Sequence, residues 1–180
     1  PPEAAAVMQW SRNHRFIVSG NLHAGNLGVV YPYGNNERNE SVATPTPDNA
    51  VFKKLARTYI ASNRQMQENS PFPDGIQNAA AWFLAEGEMP DWHYAHLSSL
   101  GLTIELDSTK APAEEELSSL WEANRDAMLQ LFEAADTGLA GTVIDHSSHN
   151  SVDAHIEPES PAKPVYAQPD TGTYQRLLKA

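Results

Sequence analysis

The sequence predicts an α/β unit followed by a short run of small β-strands. Three observations carry this: helical and strand patterns alternate as far as about Ala135, composition shifts near Thr137–Gly141, and beyond it short alternating segments sit between Pro, Ser, Asp and Gly clusters. At 180 residues the chain has room for one ordinary domain and a small second one, and can bury about two thirds of its extended surface.

The elements follow in order. Ala6, Val7 and Trp10 share one face at helical spacing, so Glu3–Trp10 reads as a short amphipathic helix. Arg15–Leu22 reads as a strand, with β-branched and aromatic Phe16-Ile17-Val18 broken off by Ser19-Gly20-Asn21. Gly28-Val29-Val30 is a second strand-sized apolar run. Tyr31–Asp48 is loop, dense in Asn, Pro, Thr and Gly, and includes the weak glycosylation sequon Asn39-Glu40-Ser41. Asp48 is a candidate N-cap for a helix to about Asn63, with Val51, Phe52, Leu55, Tyr59 and Ile60 as its stripe. Asn69–Met89 reads as irregular, and Leu102–Leu106 as a buried strand with one acid inside it. The longest helix is expected over about Ala113–Ala135, after Pro112, with three acids in its first turn and Gly138 past its end. Leu117, Leu120, Trp121, Met128, Leu131 and Phe132 give it a broad apolar face. The small strands Thr142–Ile144, Val152–Ile156, Val165–Tyr166 and Tyr174–Leu178 close the chain.

Net charge is −11, and Glu86 to Glu159 hold sixteen acids against two bases. Such a half repels phosphate, so no nucleic-acid partner is expected. No apolar run approaches the roughly 20 residues of a membrane helix. The absence of cysteine excludes disulfides, thiolate zinc sites and cysteine catalysis. The opening Pro1–Met8 has no basic n-region, does not read as a signal peptide, and suggests an excerpt of something longer.

Two positions stand out for chemistry. His23 follows a strand end among small residues, and Glu105 sits in an apolar strand, where an unpaired carboxylate is expensive to bury. Each has a plainer reading, a hydrogen-bonded loop histidine and an ion-paired structural acid. His93/His96 and His146/His149 are each three apart, but neither stretch reads as helical and no third ligand accompanies them. No Gly-x-Ser-x-Gly elbow, phosphate loop or dinucleotide fingerprint is present.

The ordered segments resemble zinc metallocarboxypeptidases of the M14 type, in the N/E branch that carries a transthyretin-like domain behind the catalytic one. Phe16–Gly25 resembles the strand and zinc-ligand turn, with Tyr31-Pro32-Tyr33 following at the family spacing. Gly75–Trp82 and Gly87–Tyr94 resemble the active-site loop, and Leu102–Leu106 the strand with the catalytic glutamate. Trp121–Arg125 fits the last helix, Gly138–Asp145 the entry to the transthyretin-like domain, and Gly172–Leu178 a later strand of it.

The resemblance implies a mixed sheet flanked by helices over 1–138, the C-terminal part of a catalytic domain, and a truncated transthyretin-like β-sandwich over 139–180. It implies that His23 is a Zn²⁺ ligand and Glu105 the general base, that peptide or protein C-termini are the partners, and that the protein belongs to the secretory pathway or is secreted. Three departures accompany it. No His-x-x-Glu occurs in the chain, so the other two zinc ligands and the substrate-carboxylate clamp are expected upstream or on another chain, and these residues alone are expected to be inactive. Phe83 stands where the family has a mobile tyrosine. Gly34 stands where the branch has the acid that favours C-terminal Lys or Arg, Pro90 where it has Gln, and Glu88 where it has glycine, so an apolar C-terminal residue is expected. The alternative implied by these departures is an inactive carboxypeptidase-like binding or assembly module.

Overall fold

The structure is a computed structural model that describes residues 1–14, 16–158 and 162–178; Arg15, the first residue of the expected first strand, lies outside them. Helix α1 (Pro2–Asn13) leads into β1 (Val18–His23) and β2 (Asn26–Tyr31). An irregular stretch then precedes α2 (Asn49–Ala61) and α3 (Arg64–Asn69). Short β3 (Ile76–Asn78) and α4 (Ala79–Trp82) are followed by α5 (Met89–Leu97), β4 (Leu100–Asp107) and α6 (Leu117–Ala134). Four short strands end the chain: β5 (Leu139–Thr142), β6 (His155–Ile156), β7 (Val165–Tyr166) and β8 (Thr173–Arg176).

The main sheet runs β1-β4-β2-β3, with β1 and β4 parallel, β4 and β2 antiparallel, and β2 and β3 parallel. It is a mixed sheet, as expected, and alternation along β4 divides its faces. Leu102 and Ile104 point into a core with Leu27, Val29, the α2 stripe (Val51, Phe52, Leu55, Ala56, Tyr59, Ile60) and Ala127 and Leu131 of α6. On the opposite face α5 lies against Gly101, where an added Cβ would stand 2.8 Å from the Cα of Pro90.

Four expectations are corrected. Asp48 precedes α2, but its side chain makes no capping bond. Its Oδ2 instead accepts from the Tyr94 hydroxyl at 2.8 Å, and its Oδ1 pairs with Arg176, both side chains being almost fully buried. The stretch around His93 and His96 is helical after all, as α5. The last helix begins with a 3₁₀ turn at Glu114–Glu116, and much of its apolar face is exposed: Trp121 by 54% and Phe132 by 67%. The Asn69–Met89 stretch contains β3 and α4 rather than loop alone.

The C-terminal strands form two separate antiparallel pairs, β5–β8 and β6–β7. They rest on the first part of the chain. Leu177 joins the main core, the Ser98 hydroxyl donates to the carbonyl of Pro164 at 2.8 Å, and the Lys163 ammonium donates to the carbonyls of Tyr94 and Ala95.

Candidate active site

The parallel register of β1 and β4 places His23 directly opposite Glu105. Partners in register project from the same face of a sheet, so the two side chains are brought together by strand pairing alone. His23 Nδ1 lies 3.1 Å from each carboxylate oxygen. An ionised carboxylate only accepts, so Nδ1–H is the donor in this arrangement. The imidazole is about half exposed, its side chain at 52%, whereas Glu105 is buried at 4%. Burying a carboxylate is tolerated only where a donor meets it, and His23 is that donor.

Both residues line one cleft of about 140 Å³. Asn21 and Thr103, two positions back on the same face of β1 and β4, form its floor, and Tyr31 and Pro32 one side. Trp82, Phe83, Glu88, Pro90 and Asp91 close the other side from α4 and the start of α5. Phe83 and Pro90, named from the sequence, are therefore in the cleft. Gly34 is beside it: its N–H donates to Asp91 Oδ2 at 2.9 Å.

The remaining histidines are not ligands of this site. His93 is buried in α5 between the hydroxyls of Ser11 (3.1 Å) and Ser19 (3.2 Å), which ties α1 and β1 to α5. Desolvation lowers its pKa, as befits a neutral structural imidazole. His96 is exposed and packs on Trp92, and His146 and His149 sit on an exposed turn organised by the Asp145 carboxylate. Asn21, Thr103 and Asp91 escaped sequence reasoning. A signal for Asp91 was available: Pro90 followed by an acid is a helix-start pattern, and it marks the first turn of α5.

Among the described residues no group of three or more His, Cys, Asp or Glu side chains could hold a metal ion. His23 is a suitable donor for zinc, but a catalytic zinc site takes three protein ligands. The described residues do not make that site by themselves.

A mixed α/β sheet thus brings an imidazole and a buried carboxylate together near the ends of adjacent parallel strands. Residues 1–127 match the zinc carboxypeptidase family, and the chain belongs to it. The chain is 37% identical to carboxypeptidase D of Anas platyrhynchos over 187 aligned positions, covering 98% of this chain and 13% of that protein. It is 35% identical to the carboxypeptidase N catalytic chain of Homo sapiens, again over 98% of this chain and over 41% of that protein. With carboxypeptidase D of Drosophila melanogaster it shares 40% identity across 79% of this chain and 12% of that one. The chain thus spans well under half the length of these relatives. No helix of the described residues is long and apolar enough to cross a membrane.

Proposed function

We propose that this chain is part of a zinc metallocarboxypeptidase that hydrolyses the C-terminal peptide bond of peptides or proteins. The observation that carries the reading is the 3.1 Å meeting of His23 with buried Glu105 in one cleft. In this reading Glu105 is the general base and His23 a metal ligand. Zinc, when bound in the complete protein, supplies Lewis acidity and a bound water of lowered pKa. Glu105 accepts the proton of the attacking water at its carboxylate and returns it to the departing amine, leaving the enzyme unchanged after each cycle. The Nδ1–H of His23 holds that carboxylate in place, and the exposed rings of Trp82 and Phe83 stand over the cleft to limit the entry of bulk water.

Residues 1–138 are then the C-terminal part of the catalytic domain and 139–180 the start of a transthyretin-like β domain. What supports this division is the end of α6 at Ala134, followed among the described residues by two small antiparallel strand pairs and an isolated bridge. The His-x-x-Glu ligands, the substrate-carboxylate clamp and a secretory location are assigned on the resemblance to the family.

The test uses the full-length protein containing this chain. Glu105→Gln lowers kcat/KM on a C-terminal peptide by about 10²–10⁴-fold while zinc content is kept, and His23→Ala loses zinc. Full turnover with Gln at position 105 would remove Glu105 from the chemistry.

A further inference from the structure

The triplet Asn39-Glu40-Ser41 is the chain's one Asn-x-Ser/Thr sequon, and none of its residues lines the cleft. It lies on the irregular stretch between β2 and α2, with all three residues exposed. Asn39 closes a turn. Its N–H donates to the carbonyl of Asn36 at 3.0 Å, and its φ of 52° is a left-handed conformation that Asn adopts more readily than most residues. The Asn36 side chain holds that turn in shape: Oδ1 accepts from the N–H groups of Arg38 and Glu40 at 3.2 Å, and Nδ2 donates to the Glu40 carbonyl at 2.7 Å and the Thr44 hydroxyl at 3.0 Å. The Asn39 side-chain amide has no hydrogen-bond partner among the described residues, so a bulky group on its Nδ2 displaces no bond of the fold. Ser41 is placed differently. Its hydroxyl donates at 3.2 Å to the carbonyl of Ala80, 39 positions further on in α4. The sequon requires that hydroxyl as well as the amide, and the folded loop presents the amide while it engages the hydroxyl.

We propose that Asn39 carries an N-linked oligosaccharide, attached before α4 docks on the loop that bears it. The inference rests on the secretory assignment above. The co-reactant is an oligosaccharide linked to a polyprenyl diphosphate. Asn39 Nδ2 forms a bond to the anomeric carbon of the first sugar, and the bond from that carbon to the diphosphate oxygen breaks. The lipid diphosphate leaves with the electron pair, Nδ2 gives up one proton, and nothing is oxidised or reduced. Chain order sets the timing. The sequon is made before Ala80, so the Ser41 hydroxyl is free while the chain is still growing and becomes engaged once α4 is in place. The turn then keeps the sugar on the outside, since Asn39 is exposed and Asn36 fixes the backbone around it.

The experiment expresses the full-length protein in a eukaryotic secretory cell and locates it by fractionation. The proteolytic peptide bearing Asn39 is weighed before and after an amidase that cuts the sugar–asparagine bond and leaves aspartate. Lumenal wild-type protein is expected to carry sugar on most of that peptide. Asn39→Gln and Ser41→Ala should each abolish it, and Ser41→Thr should keep it. Timing is tested with the full-length protein folded without sugar in a bacterium and then offered a solubilised transferase and its lipid-linked donor. A synthetic peptide spanning residues 36–44 should be modified, and the folded protein should not. Lumenal protein with a bare Asn39, or sugar that survives Ser41→Ala, would overturn the proposal. Modification of the folded protein as readily as of the peptide would overturn its timing. A protein that never enters the lumen overturns the proposal and the secretory assignment together. The carboxypeptidase reading is then untouched, because turnover of a peptide C-terminus measures it separately.

Discussion

Glu88 and Asp91 line the same cleft as Glu105 and His23, and among the described residues the Gly34 N–H is the donor bonded to Asp91. Because burial raises both carboxyls, the folded chain binds more protons than the unfolded one just above the ordinary carboxylate range. Stability therefore falls as pH rises through that window. Glu88→Gln should raise Tm at neutral pH, and the gain should vanish once the medium is acidic enough to protonate the unfolded carboxyl; a pH series of melting curves checks this. His23 and Glu105 were legible in the sequence because each lies within a short strand motif. Asp91 was not, since its partner Gly34 is 57 positions away and meets it only once α5 has docked.

Among the elements, α2 followed from its apolar stripe at helical spacing, and β1 and β4 from short apolar, β-branched runs, although no residue of β1 is fully buried. Helix α5 did not: its Met-Pro-Asp-Trp-His-Tyr-Ala-His-Leu run buries Pro90, His93 and Tyr94 against three different neighbours rather than one apolar stripe. Its docking depends on close approach to β4, so Gly101→Ala should push Pro90 away and cost about 1–3 kcal/mol in denaturant unfolding, with the cleft wall displaced. On α6 the buried member is polar. Asn124 Oδ1 accepts from the Tyr59 hydroxyl at 2.9 Å and from Asn63 Nδ2 at 2.8 Å, while its Nδ2 donates to the carbonyl of Leu120 at 2.9 Å. Asn124→Ala strands two buried donors, and a loss of about 1–3 kcal/mol for each is the expected result of chemical denaturation.

On the scale of the whole molecule, one apolar surface is left exposed among the described residues. Leu22, Leu106, Pro112, Leu117, Leu120, Trp121 and Met128 line an open hollow of about 640 Å³, which His23 also borders. The sequence marked the apolar face of α6 and could not say which part of it the sheet would cover; Ala127 and Leu131 are covered and Trp121 is left out. An apolar surface of this kind invites association. The 180-residue chain expressed alone should bind a hydrophobic dye and self-associate, and should hold no stoichiometric zinc; light scattering and elemental analysis check both. A monodisperse monomer carrying one zinc would contradict the site described above.

The pair between Asp48 and Arg176 has a consequence for how the chain is made. The two residues are 128 positions apart, and Asp48 lies buried at the entrance to α2. Arg176→Met leaves a buried anion without its counter-charge and should cost about 3–5 kcal/mol, more than the double variant Asp48→Asn/Arg176→Met. During synthesis from the N-terminus, α2 emerges long before Arg176 does. The buried Asp48 carboxylate must therefore wait for its partner until β8 leaves the ribosome. A nascent chain arrested before residue 176 should be protease-sensitive, and the emergence of β8 should act as the latch that closes the pair over the entrance to α2.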